Sequence, residues 1–189
     1  MKLHHALLLV ILPLALRADE TWSGTSDVKF RGYSTLHNFE GTVTQVPLKV
    51  TVTGEKDERV VSATSDVPVQ QMNTAKPDRD RNMWTMFQEA KFRFIKVEVN
   101  RAAERDLRPP GAKPGAMTVT LSIAGTRGTV SAAVTNVSES ANQGSFDLAF
   151  PISLKAFKLE PPSAIGGLVK VKDTVDVTVH VTLKKDGAP

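Results

Sequence analysis

Two histidines, His37 and His180, follow the first eighteen residues of this chain and are the natural place to look for chemistry. A histidine held within about 3 Å of an Asp or Glu can exchange protons with a substrate, so a hydrolase or isomerase is one reading. That reading requires a polar pocket enclosing the pair. No Gly-x-Ser-x-Gly turn accompanies either histidine, and His180 falls on the polar face of its segment. Neither has a second ligand at metal spacing, so no metal site is expected. The absence of cysteine removes thiolate zinc, disulfides and thiol catalysis. Gly125 to Gly128 lacks the lysine and the length of a phosphate-cradling loop. Arg79 and Arg81 are of a type that grips phosphate, and a lipid headgroup would suit them. Asp78 and Asp80 stand beside them and offer local pairing instead. No catalytic residue is assigned.

The elements that would position such groups are mostly strands. Val175, Val177, Val179, Val181 and Leu183 alternate with Asp176, Thr178, His180 and Thr182, the period of a strand with one apolar and one polar face. Val46, Leu48, Val50 and Val52 alternate likewise within 41–53, and Val28 with Phe30 marks a short strand over 28–33. Residues 19–25 read as loose and polar. A weaker strand over 60–69 should bend near Pro68. Phe92 and Phe94 share one face while Ile95, Val97 and Val99 share the other, which places a bulge near Phe94. Met117, Val119, Leu121 and Ile123 form a hairpin with Val130, Ala132 and Val134 around a turn at 125–128. Phe146, Leu148, Phe150 and Ile152 make the next strand, and 102–115 reads as a loop. Pro77, Asp78 and Asp80 ahead of Met83, Trp84, Met86 and Phe87 signal a helix over 79–88, with Met83, Phe87 and Ala90 on one face. The expected class is all-β: eight antiparallel strands and one short mid-chain helix, closed as a barrel or packed as a sandwich.

Met1 to Ala18 resembles a secretory signal, with Lys2, the apolar run 6–16 and a small-residue site at Ala18. The expected location is therefore periplasmic or secreted after cleavage. The run is short for a bilayer anchor, and no cysteine follows it to carry a lipid. The formal charge of +4 falls to +2 once Lys2 and Arg17 are set aside. No long basic run is present, so a nucleic-acid partner is not expected.

Several segments together resemble the YceI-like family of exported, lipocalin-like proteins. Ser34-Thr35-Leu36-His37-Asn38-Phe39-Glu40-Gly41 is similar to the family's opening. Met72-Asn73-Thr74 followed by Arg79-Asp80-Arg81-Asn82-Met83 resembles its central signature, with Asn82 where many members have His. Leu121 to Thr126 is similar to its hairpin turn. Phe157 to Gly166 and Val171-Lys172-Asp173-Thr174-Val175 resemble its ending. The Tyr-Pro usual after the helix is absent at 90–93. The resemblance covers roughly 27–184. It implies an elongated eight-stranded antiparallel barrel over 27–185 whose apolar tunnel holds an isoprenoid chain, a quinone or a polyprenyl lipid, without enzymatic activity. The lipid would be the bound ligand; no other cofactor is expected, and transient membrane contact would accompany loading.

An eight-stranded barrel is either just filled by its own side chains or holds one small ligand. The inward residues of a hollow barrel would be Phe30, Val50, Val52 and Phe92 from the first half of the chain. Leu121, Ile123, Phe146, Leu148, Val177 and Val179 would serve from the second. Met83, Met86 and Phe87 of the helix either line the mouth or simply dock the helix. Met is adaptable enough for either role.

Overall fold

The computed structural model describes residues 19–55, 58–110, 113–161, 163–164 and 169–187; the expected signal at 1–18 lies outside them. Alternation decides the architecture. The long last strand, β9 (Val169–Lys185), sends Val177, Val181 and Leu183 into the core and leaves Asp176, Thr178 and His180 in solvent. The other long strands are β1 (Glu20–Ser34), β2 (Phe39–Thr53), β3 (Val60–Pro68), β4 (Phe94–Ala103), β5 (Gly115–Ile123), β6 (Thr126–Glu139) and β7 (Gln143–Ser153). They run as an antiparallel meander, and β9 pairs with both β7 and β1, closing the sheet into an eight-stranded barrel. A two-residue strand, β8 (Ser163–Ala164), adds only a short pairing to β9. Closure removes the two free edges that an open eight-stranded sheet would offer for association.

β1 begins at Glu20, so the expectation of a loose segment over 19–25 is corrected. Its inward alternation runs from Trp22 through Ser26 and Phe30 to Gly32. Ladders to β2 on one side and β9 on the other hold a strand too rich in Ser, Thr and Gly to be recognised by propensity. Bulges at Gln45, Arg101 and Asn136 bend the sheet. Each coincides with a register shift and has φ near +50 to +57°. Asp27 Oδ1 accepts the Gln45 N–H at 2.8 Å and fixes the first of them. The bulge in β4 therefore sits at Arg101, not near Phe94. β4 starts only at Phe94, which faces outward at 45% exposure, and Phe92 precedes the strand altogether.

The β5–β6 hairpin turns on Ala124 and Gly125, both at positive φ (45° and 79°), the two-residue geometry that matches strand twist. The turn is thus one residue earlier and tighter than the pattern suggested.

Helix α1 (Pro77–Met86) begins two residues before the expected start, with Pro77 in its first turn and Asp78 and Asp80 against the positive end of the helix. Gln88, at φ 52°, ends it, so Ala90 is exposed rather than on the docking face. A second helix, α2 (Glu104–Leu107), occupies part of what read as loop. The two helices lie at opposite ends of the barrel: α1 where β3 leads into β4, α2 where β4 leads into β5.

Candidate functional site

The barrel wall is not filled by its own side chains. Val28, Val52, Val97, Phe146, Leu148 and Val179 point inward from their strands yet remain only half-buried. The surface they expose faces an internal cavity of about 560 Å³, which extends along the barrel. That size lies within the range of small-molecule sites, about 300–1,000 Å³. The centre is walled by Val50, Val119, Leu121, Val177 and their neighbours, and polar side chains gather at the two ends.

Phe30, Val50, Val52, Leu121, Ile123, Phe146, Leu148, Val177 and Val179 all line this space, as do Met83, Met86 and Phe87 of α1. Phe92 does not. It lies in the turn before β4 with its ring against Gly125, where an added Cβ would come within 2.8 Å of the ring. The expectation for Phe92 is corrected, because a residue outside the ladder does not share the strand's alternation. Phe30 owes its inward pose to Gly41 across the β1–β2 ladder: a Cβ there would meet the Phe30 ring at 2.1 Å. Phe39 covers Gly32 in the same way.

The α1 end is firmly built. Asp80, 8% exposed, accepts the Thr74 N–H at 2.9 Å and the Thr74 hydroxyl at 2.6 Å. Met83 and Phe87, one turn apart, bury themselves beneath the helix, and Trp84 Nε1 donates to the Met72 carbonyl at 3.3 Å. The two candidate headgroup residues part company here. The Arg79 guanidinium lies over the Phe39 ring at 4.8 Å and borders the cavity beside His37 and Asn82. Arg81 turns to solvent and pairs with Asp78 outside the cavity. Leu36, on the adjoining β1–β2 connection, is 68% exposed and also borders the opening.

The α2 end carries a polar network that sequence reasoning missed. Arg59 Nε donates to Glu104 Oε2 at 2.5 Å and its Nη1 reaches Glu20 Oε1 at 3.4 Å; Lys185 Nζ meets the other Glu20 oxygen at 3.4 Å. Arg108 Nη2 bonds Glu139 Oε2 at 2.5 Å. Burial pushes the Glu20 carboxyl up, but the hydrogen bonds and charges of Arg59 and Lys185 outweigh it and hold it below its ordinary value. The Glu104 hydrogen bond, against the opposing effect of burial and with help from Glu20, raises Arg59. These partners lie far apart in sequence, and no local motif signals them.

The histidine–acid pair required by the catalytic alternative exists, but on the outer wall. His180 Nδ1 and Asp147 Oδ1 are 2.6 Å apart, and Asn136 Nδ2 donates to Asp147 Oδ2 at 2.6 Å. The Asn136 hydrogen bond first, and His180 second, hold the Asp147 carboxyl below its usual range. The His180 side chain is 57% exposed, and neither it nor Asp147 lines the internal cavity. The cavity itself has His37 at one end and Glu104 and Glu139 at the other. Among the described residues, no group of three or more His, Asp or Glu gathers for a metal ion.

Comparison with known proteins follows the same lines. The family model for the YceI-like domain matches residues 21–183. No curated protein matches the chain. Among solved structures, the BcnA protein of Burkholderia cenocepacia is similar at TM-score 0.64 and 19% identity, covering 83% of this chain and 95% of that one. A polyisoprenoid-binding domain from Saccharophagus degradans, implicated in plant cell wall breakdown, is similar at TM-score 0.59 and 16% identity over 89% and 98%. The YCEI protein of Campylobacter jejuni is similar at 0.51 and 18% identity over 72% and 80%. At these identities the likeness is one of fold.

Proposed function

The chain belongs to the YceI-like domain family, and on that premise we propose that it is a binding or carrier protein for an apolar isoprenoid-type lipid, a quinone or polyprenyl chain held in the barrel interior. It would act in the periplasm or in secreted form, after removal of residues 1–18, and without catalysis. The observation that carries this reading is the cavity: inward aliphatic side chains keep exposed surface around about 560 Å³ of unfilled space. Burying a methylene contributes about 0.8 kcal/mol, so a five-carbon isoprene unit contributes roughly 4 kcal/mol before losses. A few units offset the 4–15 kcal/mol commonly estimated for association. The polyisoprenoid-binding domain of similar fold supports the choice of ligand class. Arg79, at the rim with its guanidinium on Phe39, is the side chain suited to a charged or carbonyl headgroup. Membrane contact during loading would involve Leu36 beside it.

The test is to purify the mature protein, extract it with organic solvent and identify what it carries by mass spectrometry, then to reload the delipidated protein. Uptake of a quinone or polyprenyl ligand at one per chain is expected. Protein that carries no such lipid and takes up neither would sink the proposal.

A further inference from the structure

The two ends of the cavity differ in charge. At the α1 end the neighbouring acids are engaged, Asp78 with Arg81 and Asp80 with Thr74. Arg79, at the rim over Phe39, has no ion-pair partner among the described residues. At the α2 end Arg59, Lys185 and Arg108 are all matched, Arg59 by Glu104 and Glu20, Lys185 by Glu20, and Arg108 by Glu139. A charged or strongly polar headgroup is therefore better held by Arg79, and the tail of the chain runs toward α2.

Trp22 stands where that tail arrives. It is the largest side chain in the cavity wall and is only 6% exposed. Its ladder partner is Lys185, and it packs with Val50, Val181 and Leu183 in a cluster apart from the main core. The Lys185 ammonium lies over its ring at 5.7 Å. Glu20, the next inward position on β1, joins Lys185 to Arg59, and the Glu20 and Arg59 side chains are both largely buried. An apolar chain that passed Trp22 would have to part these ion pairs, and parting a buried pair strands a charge. The distance available to the chain follows from β9, where Val171 and Leu183, twelve residues apart, both line the cavity. Twelve steps of about 3.4 Å on a strand tilted by about 35–45° span roughly 30 Å along the barrel axis. An extended isoprene unit, four bonds of about 1.5 Å on a zigzag, takes roughly 5 Å, so the bore holds about six.

We propose that Trp22, capped by the Lys185–Glu20–Arg59–Glu104 network, is the stop against which the tail end of the bound chain rests, and so sets the longest isoprenoid held wholly inside the barrel. The inference rests on the lipid-binding reading above. Each isoprene unit added before the stop buries more apolar surface and tightens binding. Units added beyond it stay outside the α1 mouth and contribute nothing.

The experiment titrates delipidated mature protein with prenyl monophosphates from geranyl through decaprenyl. Affinity should rise about tenfold or more per added unit and level off near hexaprenyl, longer chains binding within about threefold of it. Trp22→Leu keeps an apolar side chain at the stop and should move the levelling point to a longer chain. A direct reading of position leaves Trp22 untouched. The chain has two tryptophans, and Trp84 does not line the cavity, so Trp84→Phe makes Trp22 the sole indole reporter. Hexaprenyl phosphate brominated on its last isoprene unit should quench Trp22 fluorescence, and the same chain brominated next to the phosphate should not. Affinity that climbs steadily through decaprenyl, or a levelling point unmoved in folded Trp22→Leu, would overturn the stop alone. So would equal quenching by the two brominated chains, or none from a chain that binds. Failure of the unmodified protein to bind any prenyl phosphate or quinone would overturn the reading of the cavity and the stop with it.

Discussion

Replacing Asp80 by alanine should destabilise the barrel by about 3 kcal/mol, and the arithmetic comes from one buried carboxylate. Its oxygen accepts both Thr74 donors, the N–H at 2.9 Å and the hydroxyl at 2.6 Å, where Thr74 and Asp80 are both buried. A buried donor left without a partner costs about 1–3 kcal/mol. The hydroxyl can rotate to another acceptor, so the N–H dominates the loss. Removing a negative charge from the first turn of α1 adds about 0.3–1 kcal/mol. At about 2–4 °C per kcal/mol for a chain of this size, the melting temperature should fall by about 6–12 °C. Asp80→Asn keeps a carbonyl acceptor and should lose about 1 kcal/mol. The assay is urea unfolding at pH 7 followed by circular dichroism. Combining Asp80→Ala with Thr74→Val should cost less than the sum of the two, because each single change already removes the hydroxyl–carboxylate bond that the double variant loses only once. An Asp80→Ala protein within about 0.5 kcal/mol of the parent, a variation ordinary for surface substitutions, would refute the staple. So would strict additivity in the double variant.

Three further outcomes follow from the geometry. Val179→Trp places a bulky ring in the cavity and should lower lipid occupancy at least tenfold, whereas Phe92→Ala, outside the cavity, should leave it within twofold; titration of delipidated protein distinguishes them. Arg79→Ala should weaken binding of a pyrophosphate-bearing lipid and Arg81→Ala should not, so equal effects from the two would remove Arg79 from the headgroup role. Because Glu20 sits below its ordinary value of 4.5 in the folded protein, its contribution to stability is present above that pH and is lost as pH falls through the lower folded value. Glu20→Gln should therefore narrow the stability difference between pH 7 and pH 3, measured by urea midpoints.

Strands that bury one face against the core were legible from their alternation. β9, the β5–β6 hairpin and the Val46–Val52 half of β2 all repeat at period two. The presence of α1 was legible because Pro77 and two acids ahead of an apolar run precede few other structures, although its first turn takes in Pro77 and Asp78 as well. The first half of β1 was not, since Thr, Ser and Gly hold it through ladders on both sides rather than through apolar content; Trp22, Ser26 and Phe30 at even spacing were the available signal. The bulges at Gln45 and Arg101 are set by closure of the whole sheet, and neither residue type announces a positive φ. Phe92 illustrates the opposite error, an aromatic that extends a period by coincidence beyond the end of its strand. The cavity wall was largely readable, because inward faces are. The ion pairs at the α2 end join Arg59 to Glu104 and Arg108 to Glu139, and only the folded topology brings such distant charges together.

The pairing of β1 with β9 also sets the order of assembly. Asp186 N–H reaches the Thr21 carbonyl at 2.9 Å, so the first strand synthesised waits for the last before its second ladder can form. Until then β1 and β7 each present a bare flank that another chain could zip onto. Contacts spanning nearly the full polypeptide slow the search for the native state toward milliseconds or seconds. Until β9 is in place between β7 and β1, the wall around the internal cavity is incomplete, so the enclosed space itself is among the last features of the fold to form.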